Sequence, residues 1–390
     1  MAPARTILHL DLDAFFCAVE ELQNPSLRGQ AFAVGGSPDG RGVVSSCSYP
    51  ARKFGVHSAM PMAQAVRICP GLIVVRSSHK LYGQYSRRVM GVLGEHSELV
   101  EQISIDEAFL ELNRRPEESR EIGRSIQQHI LTEIGLPNSV GIAVNKLVAK
   151  IATDVGKKTA SGDSPPNAIT LVPEGEEAVF LAPLPVDMLW GVGPKTRARL
   201  ENLGITTIGD LASVPELTLA EKLGKHGYDL SRRARGIDHR PLVTEREIKS
   251  VSNEQTFRVD IGRKSELVKK LSTLSKKVSS RLQKKGLQGK TVQLKLRWSD
   301  FTTITRQKTL PGLVDGEETI QKTGLELLDQ VWQEGRRVRL IGIGVSNLES
   351  DVKQLSLWDP RVAEDQRLEE TLQLLRKKYG DDVITRGAAK

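Results

Sequence analysis

Cysteine is scarce in this chain: 390 residues hold three, Cys17, Cys47 and Cys69. An odd count with no metal-ligand spacing excludes a disulfide framework and a thiolate metal site, and the compartment it points to is a reducing one, the cytoplasm. Long apolar runs are missing as well. The N-terminal stretch Thr6-Ile7-Leu8-His9-Leu10-Asp11-Leu12-Asp13 is broken by a histidine and two acids. Neither a signal peptide nor a membrane span is expected there, and no membrane partner. Low-complexity tracts are absent, and 39% hydrophobic with 27% charged residues is the composition of a folded globular protein. At roughly 150 residues per domain, the length accommodates two or three domains.

The first 250 residues also lack net charge, with 29 lysines and arginines against 29 acids. Residues 351–390 balance at 8 of each. The whole excess of 8 lies in 251–350, where 19 basic residues meet 11 acids. A localised basic module suits a polyanion such as nucleic acid. A solvated charged surface is the other reading.

Apolar runs predict strands at 6–12, 31–34, 42–47, 72–76, 100–111 (a hairpin), 139–144 and 168–172. Helices fit between them at 14–22, 62–68, 79–93, 118–133 and 146–155. Together they suit a mixed sheet covered by helices. From 173 to 240 short helices take over, with glycine turns at Gly191, Gly193, Gly204 and Gly224, and the polar, proline-led 241–250 reads as a linker. The basic module then runs strand 251–259, helix 263–285, strands 290–298 and 302–310, helix 317–334 and strand 338–347, a split βαβ order with two helices on one face. A strand or loop and an amphipathic helix built on Leu368, Leu372, Leu375 and Tyr379 are expected in the tail.

Two acidic motifs carry chemistry. In Asp11-Leu12-Asp13, at the end of the first strand, the acids start on one side with the Leu12 carbonyl between them. All are hard oxygen ligands suited to magnesium; a turn or a helix cap is the plainer reading of this motif alone. In Ser104-Ile105-Asp106-Glu107-Ala108, adjacent acids stand in an otherwise apolar hairpin, where repulsion and burial both disfavour ionisation. A bound divalent cation removes that difficulty; a turn acid beside a solvent-facing one is the plainer reading. Phosphoryl transfer uses such a site, with two metal ions about 4 Å apart. The run from Ser46 to Gly55 and Lys157 supply cationic and hydroxyl donors for a triphosphate.

Four segments in order, Asp11-Leu12-Asp13-Ala14-Phe15-Phe16, Tyr49-Pro50-Ala51-Arg52-Lys53-Phe54-Gly55, Ser104-Ile105-Asp106-Glu107-Ala108, and Asn145-Lys146 through Lys157, resemble the motifs of Y-family DNA polymerases of the bacterial DNA polymerase IV type. The resemblance extends through the basic module. It implies a low-fidelity, template-directed DNA polymerase without proofreading that works in translesion synthesis. Its fold would be α+β and multidomain, a right hand with a mixed-sheet palm (1–14 and 78–172), small fingers (15–77), a helical thumb (173–240), a linker (241–250), a split βαβ little finger (251–350) and a tail (351–390).

Residue by residue, the resemblance assigns two magnesium ions to Asp11, Asp106, Glu107 and the Leu12 carbonyl, with Glu107 on the ion that activates the primer terminus. Ser46, Tyr49, Arg52 and Lys157 would hold the triphosphate. Phe16 would be the steric gate against a ribose 2′-hydroxyl, while Phe15 packs in the core. Phe109 stands where many relatives have tyrosine. Gly191, Gly193 and Lys195, in a segment like a helix-hairpin-helix that also carries Arg197 and Arg199, would meet a DNA phosphate. Gln354-Leu355-Ser356-Leu357-Trp358 resembles the pentapeptide that docks bacterial polymerases on the sliding clamp. Implied partners are primer–template DNA, deoxynucleoside triphosphates and the clamp, for a monomeric enzyme. A nucleotidyl cyclase and a non-catalytic DNA-binding scaffold are the rival readings.

Overall fold

The computed structural model describes residues 5–350 apart from 113–115, 161 and 163. The expected tail elements and the pentapeptide residues Gln354, Leu355, Leu357 and Trp358 lie outside the described residues. The chain divides into two compact units between Glu247 and Ile248.

In the first unit, β1 (Thr6–Leu12) and α1 (Phe15–Gln23) precede β2 (Phe32–Gly35), β3 (Val44–Cys47), α2 (Tyr49–Lys53), α3 (Met62–Ile68) and β4 (Ile73–Arg76). Then come α4 (His79–His96), β5 (Val100–Gln102), β6 (Glu107–Leu112), α5 (Pro116–Ile134), β7 (Asn138–Ala143), α6 (Lys146–Thr159) and β8 (Ile169–Leu171). Five short helices complete the unit: α7 (Glu177–Leu181), α8 (Pro194–Glu201), α9 (Ile208–Ser213), α10 (Glu216–Leu223) and α11 (Lys225–Ala234). The expected elements are present, with their ends moved by a turn or less. Helix α2 is the addition. Ser48 caps it by accepting from Ala51 N, with Pro50 in the first turn, and five residues are too few to display a period.

The strands expected to share one mixed sheet divide between two. The larger has the order β5-β6-β1-β7-β8 and the smaller β3-β2-β4; β7–β8 and β2–β4 are parallel, the other pairs antiparallel. Apolar pattern identifies a strand but not the neighbour it bonds. Here α1 packs on β2 and β3, and those short strands bond only within their own sheet.

The larger sheet is covered on both faces. Leu8, Leu10, Leu110, Val140 and Ile142 pack with Val89 and Leu93 of α4 and Ile126 and Ile130 of α5. On the opposite face Ile7, Phe109 and Ala143 pack with Leu147, Val148 and Ile151 of α6 and with the helices of 177–234. Helix α6 approaches β7 so closely that a Cβ on Gly141 would stand 2.0 Å from Ala149 O. Only glycine fits there.

The second unit has the expected β-α-β-β-α-β order: β9 (Ser250–Ile261), α12 (Lys264–Lys284), β10 (Leu287–Trp298), β11 (Thr303–Val314), α13 (Glu317–Val331) and β12 (Val338–Ser350). Its antiparallel sheet, β11-β10-β12-β9, is covered on one face by Leu267, Leu271, Leu274, Val278 and Leu282 of α12 and Ile320, Leu327 and Leu328 of α13. Lys269, Lys270, Lys276, Lys277 and Lys284 of α12 are exposed, so this part of the basic charge rides on the helical layer. Ser252, Gln293, Lys295, Gly342 and Gly344 line a shallow cleft of about 180 Å³. Among the described residues no helix is long and apolar enough to cross a membrane.

Candidate active site

Strand period and helix period meet at one place. On β1 the odd residues Ile7, His9 and Asp11 face α6, and in the antiparallel register Asp11 lies opposite Glu107 and His9 opposite Phe109. On α6, Lys146, Lys150, Thr153 and Lys157 recur three and four residues apart, which stacks them along one side of the helix. The turn between β5 and β6 is drawn to the end of β1 by Leu12 N, which donates to Asp106 O at 3.0 Å. Ser104 shapes that turn: its Oγ is 2.5 Å from Asp106 Oδ1 and accepts from Asp106 N and Glu107 N. The two acidic motifs therefore converge.

Three acids meet two ammonium groups. Lys157 Nζ lies 2.5 Å from Asp11 Oδ1 and 3.0 Å from Asp13 Oδ1. Lys150 Nζ lies 2.9 Å from Glu107 Oε2. Burial lifts Asp11 to about 7 against the pull of Lys157, with Glu107 and Asp106 adding to the rise. Burial also pushes Glu107 up, but the His9 ring and the Lys150 ammonium outweigh it and bring Glu107 to about 2. Asp13 differs from its neighbour. Fully buried, it accepts from Ser139 Oγ at 2.9 and 3.0 Å and from Asn167 N at 3.1 Å, which makes it a brace for β1 and β7.

Asp11, Leu12, Asp106, Phe16, Ser46, Arg52 and Lys157 line one cleft of about 210 Å³, together with Ala14, Phe15, Ser45 and Ser58. Tyr49 supports it from beneath Arg52, whose guanidinium lies 4.4 Å from the Tyr49 ring centre. Burial pushes the Tyr49 hydroxyl up to about 12, so it stays protonated and able to donate. Ala14 turns the chain from β1 into α1 with φ 46° and ψ 43°, a left-handed conformation that costs a non-glycine residue about 1–2 kcal/mol. Phe15 and Phe16 follow that turn with ring centroids 5.5 Å apart and differ in burial. Phe15 is buried, as expected, and Phe16 is half-buried at the cleft.

The glycine hairpin stands at a neighbouring cleft. Gly191 (φ +109°) and Gly193 line about 410 Å³ with Lys150, Asp154 and Trp190, and Lys195 is exposed in the first turn of α8. Arg197 pairs with Asp187 and Glu201, and Arg199 donates to Lys222 O.

Sequence reasoning passed over Lys150, His9, Ser104 and the buried pair Glu101–Lys146. Glu101 receives Lys146 Nζ at 2.8 Å, Val243 N at 3.0 Å and Arg246 Nη2 at 2.7 Å. Burial raises its carboxyl, and these three donors hold it below the usual glutamate range. The three- and four-residue recurrence on α6 was the signal available for the lysines; nothing in the sequence pointed to Glu101.

Asp11, Asp106, Glu107 and the Leu12 carbonyl offer hard oxygen donors of the kind magnesium takes. Among the described residues no three acidic or imidazole side chains already converge into a metal cage, because Asp11 and Glu107 are each turned to a lysine. Burial keeps Asp11 at about 7 even with the Lys157 ammonium against it. The donor set fits a divalent cation.

Residues 10–154 match the impB/mucB/samB family, 174–205 the IMS family HHH motif, and 248–357 the impB/mucB/samB family C-terminal domain. A DNA polymerase IV of Dehalococcoides mccartyi is 41% identical over 387 residues, 98% of this chain and 97% of that one. One of Streptomyces coelicolor is 45% identical over 364 residues, 92% and 74% of the two chains. Among solved structures, a Y-family DNA polymerase chimera of Dbh and Dpo4 superposes with a TM-score of 0.78 at 26% identity, covering 88% of this chain and 99% of that one. The insertion ternary complex of Dbh DNA polymerase has a TM-score of 0.62 at 26% identity over the same shares. By family, relatives and fold alike, the chain belongs to the Y family of DNA polymerases, within its impB/mucB/samB group.

Proposed function

We propose that the cleft lined by Asp11 and Asp106, with Glu107 opposite Asp11 in the strand register, is the nucleotidyl-transfer site of a low-fidelity, DNA-directed DNA polymerase that works in translesion synthesis without proofreading. The observation that carries this reading is the convergence of the two acidic motifs through the Asp11–Glu107 register and the Leu12 N to Asp106 O bond. Asp11, Asp106, Glu107 and the Leu12 carbonyl would hold two magnesium ions. When bound, the ions supply Lewis-acid chemistry for the primer 3′-hydroxyl and for charge on the departing pyrophosphate.

The chain's own residues position the substrate. Arg52, Ser46 and the Tyr49 hydroxyl donate to the triphosphate, and Lys157 turns from Asp11 and Asp13 to the phosphate oxygens. Phe16 fills the space beneath the incoming sugar and excludes a 2′-hydroxyl. Holding reacting groups in place supplies most of the rate in phosphoryl transfer. The larger sheet with its helices is the palm, residues 15–77 the fingers, 173–240 the thumb and 251–350 the little finger, with 241–250 as linker. Gly191, Gly193 and Lys195 contact a DNA phosphate, and the basic module adds salt-dependent affinity for the duplex. The expected setting is the cytoplasm.

Primer extension with magnesium and deoxynucleotides on an undamaged template tests this assignment, because a nucleotidyl cyclase and a DNA-binding scaffold both leave the primer unextended. Gln354, Leu355, Leu357 and Trp358 are proposed to dock on the sliding clamp. A peptide spanning 353–360 should bind the clamp, and Gln354→Ala with Leu357→Ala should remove that binding; unchanged affinity in the double variant places the contact elsewhere.

A further inference from the structure

Behind Glu107 lies a histidine with no part in that reading. His9 is fully buried, its ring rests on Phe109 with centroids 4.8 Å apart, and its Nδ1 is 2.8 Å from Thr153 Oγ1. Its Nε2 is buried without a hydrogen-bond partner and stands 3.6 Å from Glu107 Oε2, a few tenths of an ångström beyond hydrogen-bond range. An orphaned polar atom in a core is costly, and a small turn of the carboxylate satisfies this one.

The direction of that bond depends on the tautomer. Thr153 has one hydroxyl proton, with His9 Nδ1 at 2.8 Å, Ala149 O at 3.2 Å and His9 O at 3.3 Å competing for it. If the proton goes to a carbonyl, Nδ1–H donates to Thr153 and a bare Nε2 lone pair faces a carboxylate. If it goes to Nδ1, Nε2 carries the hydrogen and donates to Glu107. Of these two neutral arrangements, only the second leaves no two acceptors opposed at this buried nitrogen. Lys150 and His9 both address Oε2 of Glu107, which leaves Oε1 as the oxygen neither of them holds.

We propose that His9 is a positioning residue for nucleotide addition: its Nε2–H donates to Glu107 Oε2, with Thr153 fixing the tautomer, and so sets how Glu107 presents Oε1 to the cation at the primer terminus. The inference rests on the assignment of Glu107 to that cation. Outer-shell partners of this kind typically change metal affinity or activity by about 10–100-fold when removed.

The test begins with side-chain nitrogen NMR of the full chain labelled at histidine, the His9 signals being identified by their loss in His9→Gln. An Nε2–H tautomer is expected, and an Nδ1–H tautomer overturns the proposal. His9→Phe, which keeps volume and loses the donor, should lower kcat and Mn²⁺ affinity (read by electron paramagnetic resonance) by about 10-fold or more, with KM for the nucleotide nearly unchanged. His9→Gln, which places an amide N–H near Nε2, should restore most of both. Equal loss in the two variants, tracking a fall in melting temperature, reduces His9 to a packing residue and overturns the proposal. Should His9→Phe not fold, near-isosteric Thr153→Val carries the same test, with wild-type kcat and Mn²⁺ affinity as the contradicting result. Glu107→Gln separates the two assignments. Normal turnover in that variant removes the basis in Glu107, whereas an inactive Glu107→Gln beside a fully active His9→Phe removes His9 alone.

Discussion

Phe16 stacks on Tyr82 with ring centroids 4.2 Å apart and planes inclined by 15°. The Tyr82 hydroxyl in turn lies 2.5 Å from Glu20 Oε1, so the Phe16 ring rests on a buried, tethered support. A half-buried ring held by that stack and lining the cleft can discriminate by volume.

Phe16→Ala should therefore lower discrimination against ribonucleotides by about 100-fold, the scale of a misplacement of about 1 Å at the reacting centre, and keep a useful rate with deoxynucleotides. Because Phe16 is half-buried, the loss of stability should stay below the about 3–5 kcal/mol of a fully buried Phe→Ala change. Single-nucleotide incorporation with matched ribo- and deoxynucleotides, beside a melting curve, checks both. A folded, active variant that discriminates as well as wild type removes Phe16 from the gate.

Glu101 should matter for stability. Its side chain and that of Lys146 are 3% and 5% exposed, and breaking a buried pair by removing one partner costs about 3–5 kcal/mol. Glu101→Gln should show a loss of that order in denaturant unfolding, and Lys146→Met with Glu101→Leu should recover part of it. The wild-type carboxyl titrates lower folded than unfolded, so its contribution is complete above the ordinary glutamate pKa. It disappears as the pH falls through the lowered folded value. Unfolding curves of wild type and Glu101→Gln should converge in acid; a constant gap down to pH 2 contradicts this.

Removing residues 248–390 should weaken duplex binding and flatten its salt dependence, since the whole charge excess of the chain lies in 251–350 and each phosphate contact contributes about 0.9 to the slope. The cut belongs after Glu247, because Arg246 is bonded to Glu101 in the first unit. An unchanged slope in the shortened protein would show that the basic module faces away from DNA.

Much of this was legible in the sequence because period carries it. Strands β1 and β7 and the whole β-α-β-β-α-β unit have patterns long enough to read, and Asp11 and Asp106 stand out as acids among apolar neighbours. What escaped depends on relations between distant segments. The separate β3-β2-β4 sheet is a matter of pairing, which pattern does not encode. Glu101 is a single acid whose three donors come from α6 and from residues 243 and 246. His9 reads as an interruption of an apolar strand until its register against Phe109 and the position of Thr153 are known.

The most direct measurement is primer extension by Asp106→Ala and Glu107→Ala, each compared with wild type for magnesium-dependent nucleotide addition, duplex affinity and melting temperature. These acids are proposed to hold the metals and are not part of a hydrophobic core. Both variants should therefore stay folded and bind DNA while turnover falls by about 1,000-fold or more, on the scale seen when a group that stabilises charge in the transition state is lost. Near-normal extension by either variant would contradict the assignment of the active site.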